Sequence, residues 1–217
     1  MRIAESYGGM VRMPWWGVVS SVVAPVLLIG GWTAAADLQP VPFNAIARSI
    51  SSLAAQGMPY RWLITVTLLG VGACHVVTGL ALRQAAEAGR IMLIFGGVCG
   101  MLIAANPQHS HTGSLPHEVF SFIGVILMTI WPVAAIRHEP GTPYPLRPRV
   151  AWASALLTLC LVVWFTAELF GGSELGLAER AVTADQSLWP LIVVVSVLAA
   201  RVRPALAPER ASAMRSQ

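Results

Sequence analysis

Apolar residues along this chain are grouped into six long runs, separated by short polar stretches. A helix that crosses about 30 Å of hydrocarbon needs roughly 20 apolar residues, and each run reaches or approaches that length. The pattern therefore predicts an all-α fold, a polytopic membrane helical bundle with six transmembrane helices. The predicted spans are 14–36, 59–82, 91–105, 117–136, 150–170 and 187–202.

The composition agrees with a membrane protein. Hydrophobic residues make up 56% of the 217 residues and charged residues only 11%, whereas soluble domains carry about 25% charged residues. This balance excludes an ordinary soluble enzyme, a disordered protein and, since the basic residues are scattered, a nucleic-acid-binding protein. Every basic residue is arginine, which indicates a bacterial source. Cys74, Cys99 and Cys160 lie inside apolar runs without metal-site spacing.

The arginines are distributed unevenly between the two sides of the predicted bundle. Of the 14 basic residues, only Arg48, Arg61 and Arg180 fall on one side. Arginine-rich segments stay in the cytoplasm, so both termini are predicted to be cytoplasmic in a bacterial inner (plasma) membrane. The predicted domains are a cytoplasmic segment at 1–13, a membrane domain at 14–202 and a flexible cytoplasmic tail at 203–217.

The first span has a second interpretation. The three alanines at 34–36 follow a basic N-terminus and an apolar run, as at a signal-peptidase site. Cleavage there would leave five spans and an N-terminus outside the cell. The run is longer than a usual signal core, so we expect a retained span.

The first loop on the arginine-poor side is predicted to contain a short amphipathic helix over 45–55. Its apolar positions recur at helical spacing, and Asn44 is placed to cap its start. The helix is interpreted as a connector in the interface plane. The alternative is a lid over a lipid-headgroup pocket, in which Arg48 meets a phosphate. The apolar positions are Ile46, Ile50 and Leu53.

The third loop and the helix start that follows it are rich in imidazole groups. His109 and His111 lie in the loop, and His117 and Glu118 fall in the first turn of the fourth span. Three histidines and a carboxylate are a set that can hold zinc. A pH-sensitive polar cluster and a solvated loop without direct chemistry stay open as alternatives.

Other polar residues are interpreted as structural. The residues 176–180 are placed in the last loop, and Asp185 or Ser187 is predicted to cap the last helix. His75 lies deep in the second span and is expected to stay neutral with a hydrogen-bond partner. No second histidine lies at its depth, which disfavours a bis-histidine haem. No cofactor is expected, and zinc is the one candidate.

Three short motifs carry a resemblance to a known family. They are Arg48-Ser49-Ile50-Ser51-Ser52-Leu53, Asn106-Pro107 followed by Leu115-Pro116-His117, and Gly176-x-x-Glu179-Arg180 followed by Trp189. Over residues 16–201 the chain resembles the bacterial integral-membrane family called domain of unknown function 998. The resemblance implies a six-span fold and singles out Ser51, His117, Arg180 and Trp189. It implies no activity.

Two functions follow as expectations. The first is an accessory protein that binds a lipid or an envelope partner on the arginine-poor side. Its expected partners are membrane lipids and no nucleic acid, while a homo-oligomer or a membrane-protein partner stays open. Secondary transport is less favoured, because no span carries a chain of acidic residues. The candidate ligand-binding residues are Arg48, Ser51, His117, Arg180 and Trp189.

The second expectation is a metal-dependent, membrane-embedded lipid hydrolase. In that hypothesis zinc is held by His109, His111 and His117, and Glu118 or Asp37 is the general base toward a zinc-bound water. Ser51 hydrogen-bonds the substrate. The candidate catalytic residues are therefore His117, Glu118, Ser51 and Asp37.

Overall fold

The computed structural model describes residues 12–109 and 113–215, and the side chains up to residue 200. Within these residues the secondary structure consists of seven α-helices and one 3-10 turn at Tyr144–Leu146, without a strand. The α-helices are α1 (Trp15–Asp37), α2 (Ile50–Leu53), α3 (Arg61–Ala81), α4 (Glu87–Ala105), α5 (Leu115–Ala134), α6 (Pro148–Glu168) and α7 (Leu175–Arg215).

Six of these helices are long and apolar enough to cross a membrane. They are all except α2, and the apolar part of α7 is Leu175–Ala200. The prediction of an all-α, six-span bundle is confirmed. The boundary of a tail at 203–217 stays a prediction, as does the cytoplasmic placement of the termini.

The six spans pack as a closed ring. Around the ring the order is α1, α3, α4, α5, α6 and α7, and α7 contacts α1 again. One buried cluster, which includes Leu93, Trp131 and Val193, lies toward the loops 82–86 and 135–147, and we call this the arginine-rich side. A second cluster, with Trp32 and Leu53, lies toward the arginine-poor side, which carries the loop residues 38–60, 106–109, 113–114 and 169–174.

Two glycines allow the backbones of α3 and α4 to pack closely. A Cβ on Gly72 would lie 2.5 Å from the carbonyl oxygen of Gly97, and a Cβ on Gly97 would lie equally close to that of Gly72. Small residues let membrane helices approach so that dispersion forces and polar contacts hold them. The close approach of α3 and α4 therefore depends on Gly72 and Gly97.

The last span begins earlier than the hydropathy pattern predicts. The helix starts at Leu175 and not near 187, so the placement of 176–180 in a loop is wrong. Asp185 and Ser187 also do not cap this helix, because they lie inside it. Polar side chains in these first turns bind neighbouring segments of the chain, and this lets the helix continue where local composition indicates a loop.

The helix in the first loop is shorter than predicted. Only Ile50–Leu53 is helical, and it is preceded by a turn in which the Asn44 side chain accepts hydrogen bonds from the N–H groups of Ile46 and Ala47. The helix itself is capped by Ser49, whose Oγ accepts from Ser52 N at 3.0 Å. The residues of the predicted apolar face do not pack together, because Leu53 is buried whereas Ile46 is 55% exposed.

Candidate functional site

The first loop and the first turns of α7 meet on the arginine-poor side, and a glycine makes their close contact possible. A Cβ on Gly176 would lie 2.1 Å from the carbonyl oxygen of Arg48 and 2.5 Å from that of Ala45. The Leu177 N–H donates to the carbonyl oxygen of Ile46 at 3.0 Å. Backbone therefore packs directly on backbone at this point.

The Glu179 carboxylate holds the short helix α2 against α7. One oxygen accepts a hydrogen bond from the Ile50 N–H, and the other accepts from Ser51 Oγ at 2.9 Å. The Glu179 side chain is buried. A carboxylate that receives two donors in this way is satisfied within the protein. Ser51, a predicted site residue, is thus engaged with α7.

Arg180 lies beside this carboxylate and anchors the preceding part of the loop. Its Nη1 donates to the carbonyl oxygens of Ala45 at 2.8 Å, Arg48 at 3.0 Å and Gly176 at 2.8 Å. Its Nη2 is buried and has no hydrogen-bond partner. The guanidinium carbon lies 5.9 Å from the centre of the Trp32 ring. The Nη2 group of Arg180 is therefore a donor without an acceptor among the described residues.

Arg48 is the second guanidinium of the site. Its guanidinium carbon lies 4.6 Å from the centre of the Phe43 ring, and that of Arg180 lies 6.0 Å from the same centre. Arg48 Nη2 makes one long contact, 3.9 Å to the sulfur of Met58, a weak acceptor. Arg48 is otherwise exposed. Two positive groups thus share one aromatic ring, an arrangement that cation–π attraction stabilises.

Neither guanidinium is neutralised by a contacting carboxylate. Over residues 12–109 and 113–200, the one ion pair between arginine and a carboxylate is Arg137–Glu139, on the arginine-rich side. Glu179 precedes Arg180 in the chain, but its oxygens are occupied by α2. The site, formed by Arg48, Arg180 and Phe43 and called here the arginine pair, can therefore accept an anionic oxygen group.

The predicted histidine cluster lies at the turn between α4 and α5. The Nδ1 of buried His117 lies 3.0 Å from the carbonyl oxygen of Asn106, and Nδ1 of His109 lies 3.2 Å from that of Gly113. His111 lies outside the described residues. Among the residues described, no three histidine, cysteine or acidic side chains converge on a metal position. Zinc at this turn stays a prediction.

An open cleft of about 470 Å³ lies at the same turn. It joins the loop after α4 to the end of the first loop, where the Gln56 N–H donates to the carbonyl oxygen of Gln108 at 2.9 Å. A backbone hydrogen bond therefore joins the two loops. The cleft is lined by Gln56, Ala105, Asn106, Pro107, His109 and 113–116.

The remaining predicted site residues lie apart from the arginine pair. Asp37 is the exposed last residue of α1, and Glu118 belongs to the first turn of α5. Trp189 packs against the cluster toward the arginine-rich side, nine residues along α7 from Arg180, or about 13 Å. The structure therefore brings together Arg48, Ser51 and Arg180 but places His117 and Trp189 elsewhere.

The sequence patterns do not indicate Glu179, Phe43 or Trp32 as site residues. Glu179 was visible as part of the third motif, since it immediately precedes Arg180. The two aromatic residues carry no local signal for a site. Their proximity to the guanidinium groups follows from how the loop folds over the end of α1.

A comparison with known families places this geometry in context. The family model described as Protein of unknown function (DUF998) matches residues 22–196. The chain belongs to this family. The match includes both halves of the site, from the loop around Arg48 to the start of α7. No curated protein and no solved structure matches the chain.

Proposed function

We propose that this DUF998 protein is an accessory membrane protein that binds the anionic headgroup of a lipid at the arginine pair. One observation carries the proposal. Arg48 and Arg180 flank Phe43 without a contacting carboxylate, and Arg180 Nη2 is buried and unpaired. A buried N–H donor that lacks an acceptor costs free energy. A phosphate oxygen is such an acceptor.

The surroundings of the arginine pair favour a lipid over a soluble anion. Val41 and Ile46, which flank Phe43 in the loop, are 73% and 55% exposed. Apolar side chains beside basic groups suit the interface, where acyl chains meet charged headgroups. The loop also connects two membrane spans, so it lies at the depth of the lipid headgroups. These features support a lipid headgroup as the ligand.

The proposal includes an orientation. If the arginine-rich side faces the cytoplasm of a bacterium, as the positive-inside tendency indicates, the arginine pair faces the outer leaflet of the inner membrane. A ligand reaching it comes from that leaflet. A reporter fused to the C-terminus, active only in the cytoplasm, tests this orientation separately from lipid binding.

The experiment compares lipid retention by the full-length protein in nanodiscs. Equimolar phosphatidylglycerol and phosphatidylcholine with matched acyl chains are supplied, and the lipids that remain bound are counted by native mass spectrometry. We expect preferential retention of phosphatidylglycerol, and a loss of roughly tenfold in this preference in Arg48→Gln, as for one charge-assisted contact.

Arg61→Gln is the matched control. Arg61 is exposed on the same side at the start of α3 but lies outside the arginine pair, so its loss should leave the preference unchanged. Equal retention of both lipids, or an equal effect of Arg48→Gln and Arg61→Gln, would show that the arginine pair is not a headgroup site.

A further inference from the structure

The carboxyl group of Asp185, which is separate from the arginine pair, lies in the membrane interior. Asp185 is ten residues into α7 from Leu175, about 15 Å along the helix axis. Its partner Thr158 is ten residues from either end of α6. Since a span of this length crosses about 30 Å of hydrocarbon, Thr158 places the contact near the middle of the membrane.

The hydrogen bonds of this contact depend on a single hydroxyl proton. Thr158 Oγ1 lies 2.6 Å from Asp185 Oδ2 and 3.1 Å from the carbonyl oxygen of Ser154. A hydroxyl has one hydrogen to donate, so it cannot serve both oxygen acceptors at once. Both contacts are hydrogen bonds if the Asp185 carboxyl group carries a proton, donates it to Thr158 Oγ1, and Thr158 donates to Ser154.

Within the part of the chain that the structure describes, the spans packed against α7 carry arginine only at their ends. The charged residues of α1 and α6 lie at helix ends and are Asp37, Arg149 and Glu168. Besides these, α6 contributes exposed Cys160, and α3 contributes Arg61 at its start, Cys74 and His75. The 3-10 turn, which also packs against α7, contributes Tyr144. On α7 itself, Glu179 and Arg180 bind the first loop. An ionised Asp185 would therefore be a membrane charge without a counter-ion.

Further buried polar atoms lack partners in the turn of α7 that follows Asp185. The side chains of Gln186 and Ser187 are 8% and 1% exposed, and their Nε2 and Oγ atoms lack hydrogen-bond partners. The buried indole Nε1 of Trp189, one turn from Asp185 on the same face, also lacks one. Buried polar atoms of this kind are typically satisfied by internal water, the medium through which a proton moves.

We propose that Asp185 is an intramembrane proton-exchange site that is completed by Thr158 and Ser154. In the protonated form, the carboxyl group donates to Thr158 Oγ1, which donates to the Ser154 carbonyl oxygen. When the proton leaves to internal water, the Thr158 hydroxyl rotates to donate to the carboxylate. The Ser154 carbonyl then loses this donor and keeps its helical bond. No other bond changes.

Infrared spectroscopy of the full-length protein in nanodiscs at neutral pH tests the proposal. A protonated carboxyl group has a carbonyl stretching band that a carboxylate lacks. We expect this band in the wild type, a downshift when water is replaced by D₂O, and loss of the band in Asp185→Asn. Thr158→Val should retain the band and move it to higher frequency, because the hydrogen bond from the carboxyl group is lost.

Glu179→Gln is the matched control for a second buried carboxyl group, and it should leave the band in place. The proposal is overturned if Asp185→Asn leaves the band unchanged, or if the band does not shift in D₂O, since the proton would then not exchange. Loss of the band on adding sodium at constant pH would overturn the proposal in favour of a metal-cation site.

If Asp185→Asn does not fold, the frequency shift of the band in Thr158→Val tests the proposal in its place. Arg48→Gln should retain the band, which separates this test from the proposed lipid site.

Discussion

The two sides of the bundle use arginine differently. On the arginine-rich side, Arg90 donates to the carbonyl oxygens of Gly79 at 3.0 Å and Leu80 at 3.2 Å, at the end of α3. Arg137 binds the carbonyl oxygen of Ala85 and pairs with Glu139. These guanidinium groups satisfy helix-end acceptors and a carboxylate. On the arginine-poor side, Arg180 binds loop carbonyls but retains a buried, unpaired Nη2.

The difference indicates which arginines are structural and which are available to bind a ligand. A guanidinium that caps a helix end has acceptors within the protein. Arg48, in contrast, rests on Phe43 with only a sulfur as acceptor. The pKa of the Glu139 carboxyl group lies below its ordinary value, because backbone N–H donors and Arg137 stabilise the carboxylate. Among the described residues, the arginine-rich side thus has a direct ion pair between arginine and a carboxylate, whereas the arginine pair has none.

The largest expected effect is on the backbone contact that shapes the arginine pair. Gly176→Ala places a Cβ against two carbonyl oxygens, and we expect it to destabilise the protein by about 2 kcal/mol, as for overpacking. The midpoint of thermal unfolding, followed by tryptophan fluorescence, should fall by about 5 °C. Gly30→Ala is the matched control, because a Cβ on Gly30 meets nothing within 4 Å. Equal midpoints for the two variants would contradict the backbone contact.

The next effect concerns the carboxylate that holds α2. Glu179→Ala leaves the Ile50 N–H and the Ser51 hydroxyl without their acceptor, which should cost about 2 kcal/mol of stability. Glu174→Gln, at an exposed carboxylate on the same side, should change stability by less than about 0.5 kcal/mol. Denaturation of both variants in the same detergent gives the comparison. A loss in Glu179→Ala no larger than that in Glu174→Gln would show that the loop is held by other contacts.

A smaller effect contrasts the arginines of the two sides directly. Arg90→Gln removes donors from the end of α3 and should lower stability by about 1 kcal/mol. Arg48→Gln should stay within about 0.5 kcal/mol of the wild type, although it weakens lipid retention. Thermal midpoints and lipid counts on the same samples separate the two roles. If Arg48→Gln is the more destabilising variant, Arg48 is structural and the comparison between the sides fails.

The smallest expected effect is on metal content. We expect less than stoichiometric zinc in purified protein, because the histidine, cysteine and acidic side chains of the described residues do not converge in a set of three on a metal position. Elemental analysis of the wild type beside a His109→Ala/His111→Ala/His117→Ala variant measures this. Near-stoichiometric zinc that disappears in the variant would instead restore the lipid-hydrolase hypothesis for the α4–α5 turn.

Much of the candidate site could be found from sequence, but its connections could not. The motif around Ser51 and the motif around Arg180 were both visible, yet 128 residues separate Ser51 from Glu179. Local composition cannot predict which polar group satisfies a distant one. For the same reason the sequence groups Trp189 with the motif around Arg180 that it follows, although Trp189 packs toward the arginine-rich side.

The sequence by itself determined the number of spans, the all-helical class, the asymmetry of arginine and the family. The number of spans and the helical class depend on the summed hydrophobicity of neighbouring residues, because the free energy of placing a segment in hydrocarbon is roughly additive along a helix. Only the tertiary structure decided that α7 begins at Leu175 and that Asp185 lies inside the last apolar helix. Polar side chains can enter a span when distant segments supply partners for them, and Ser51 and Thr158 do so here.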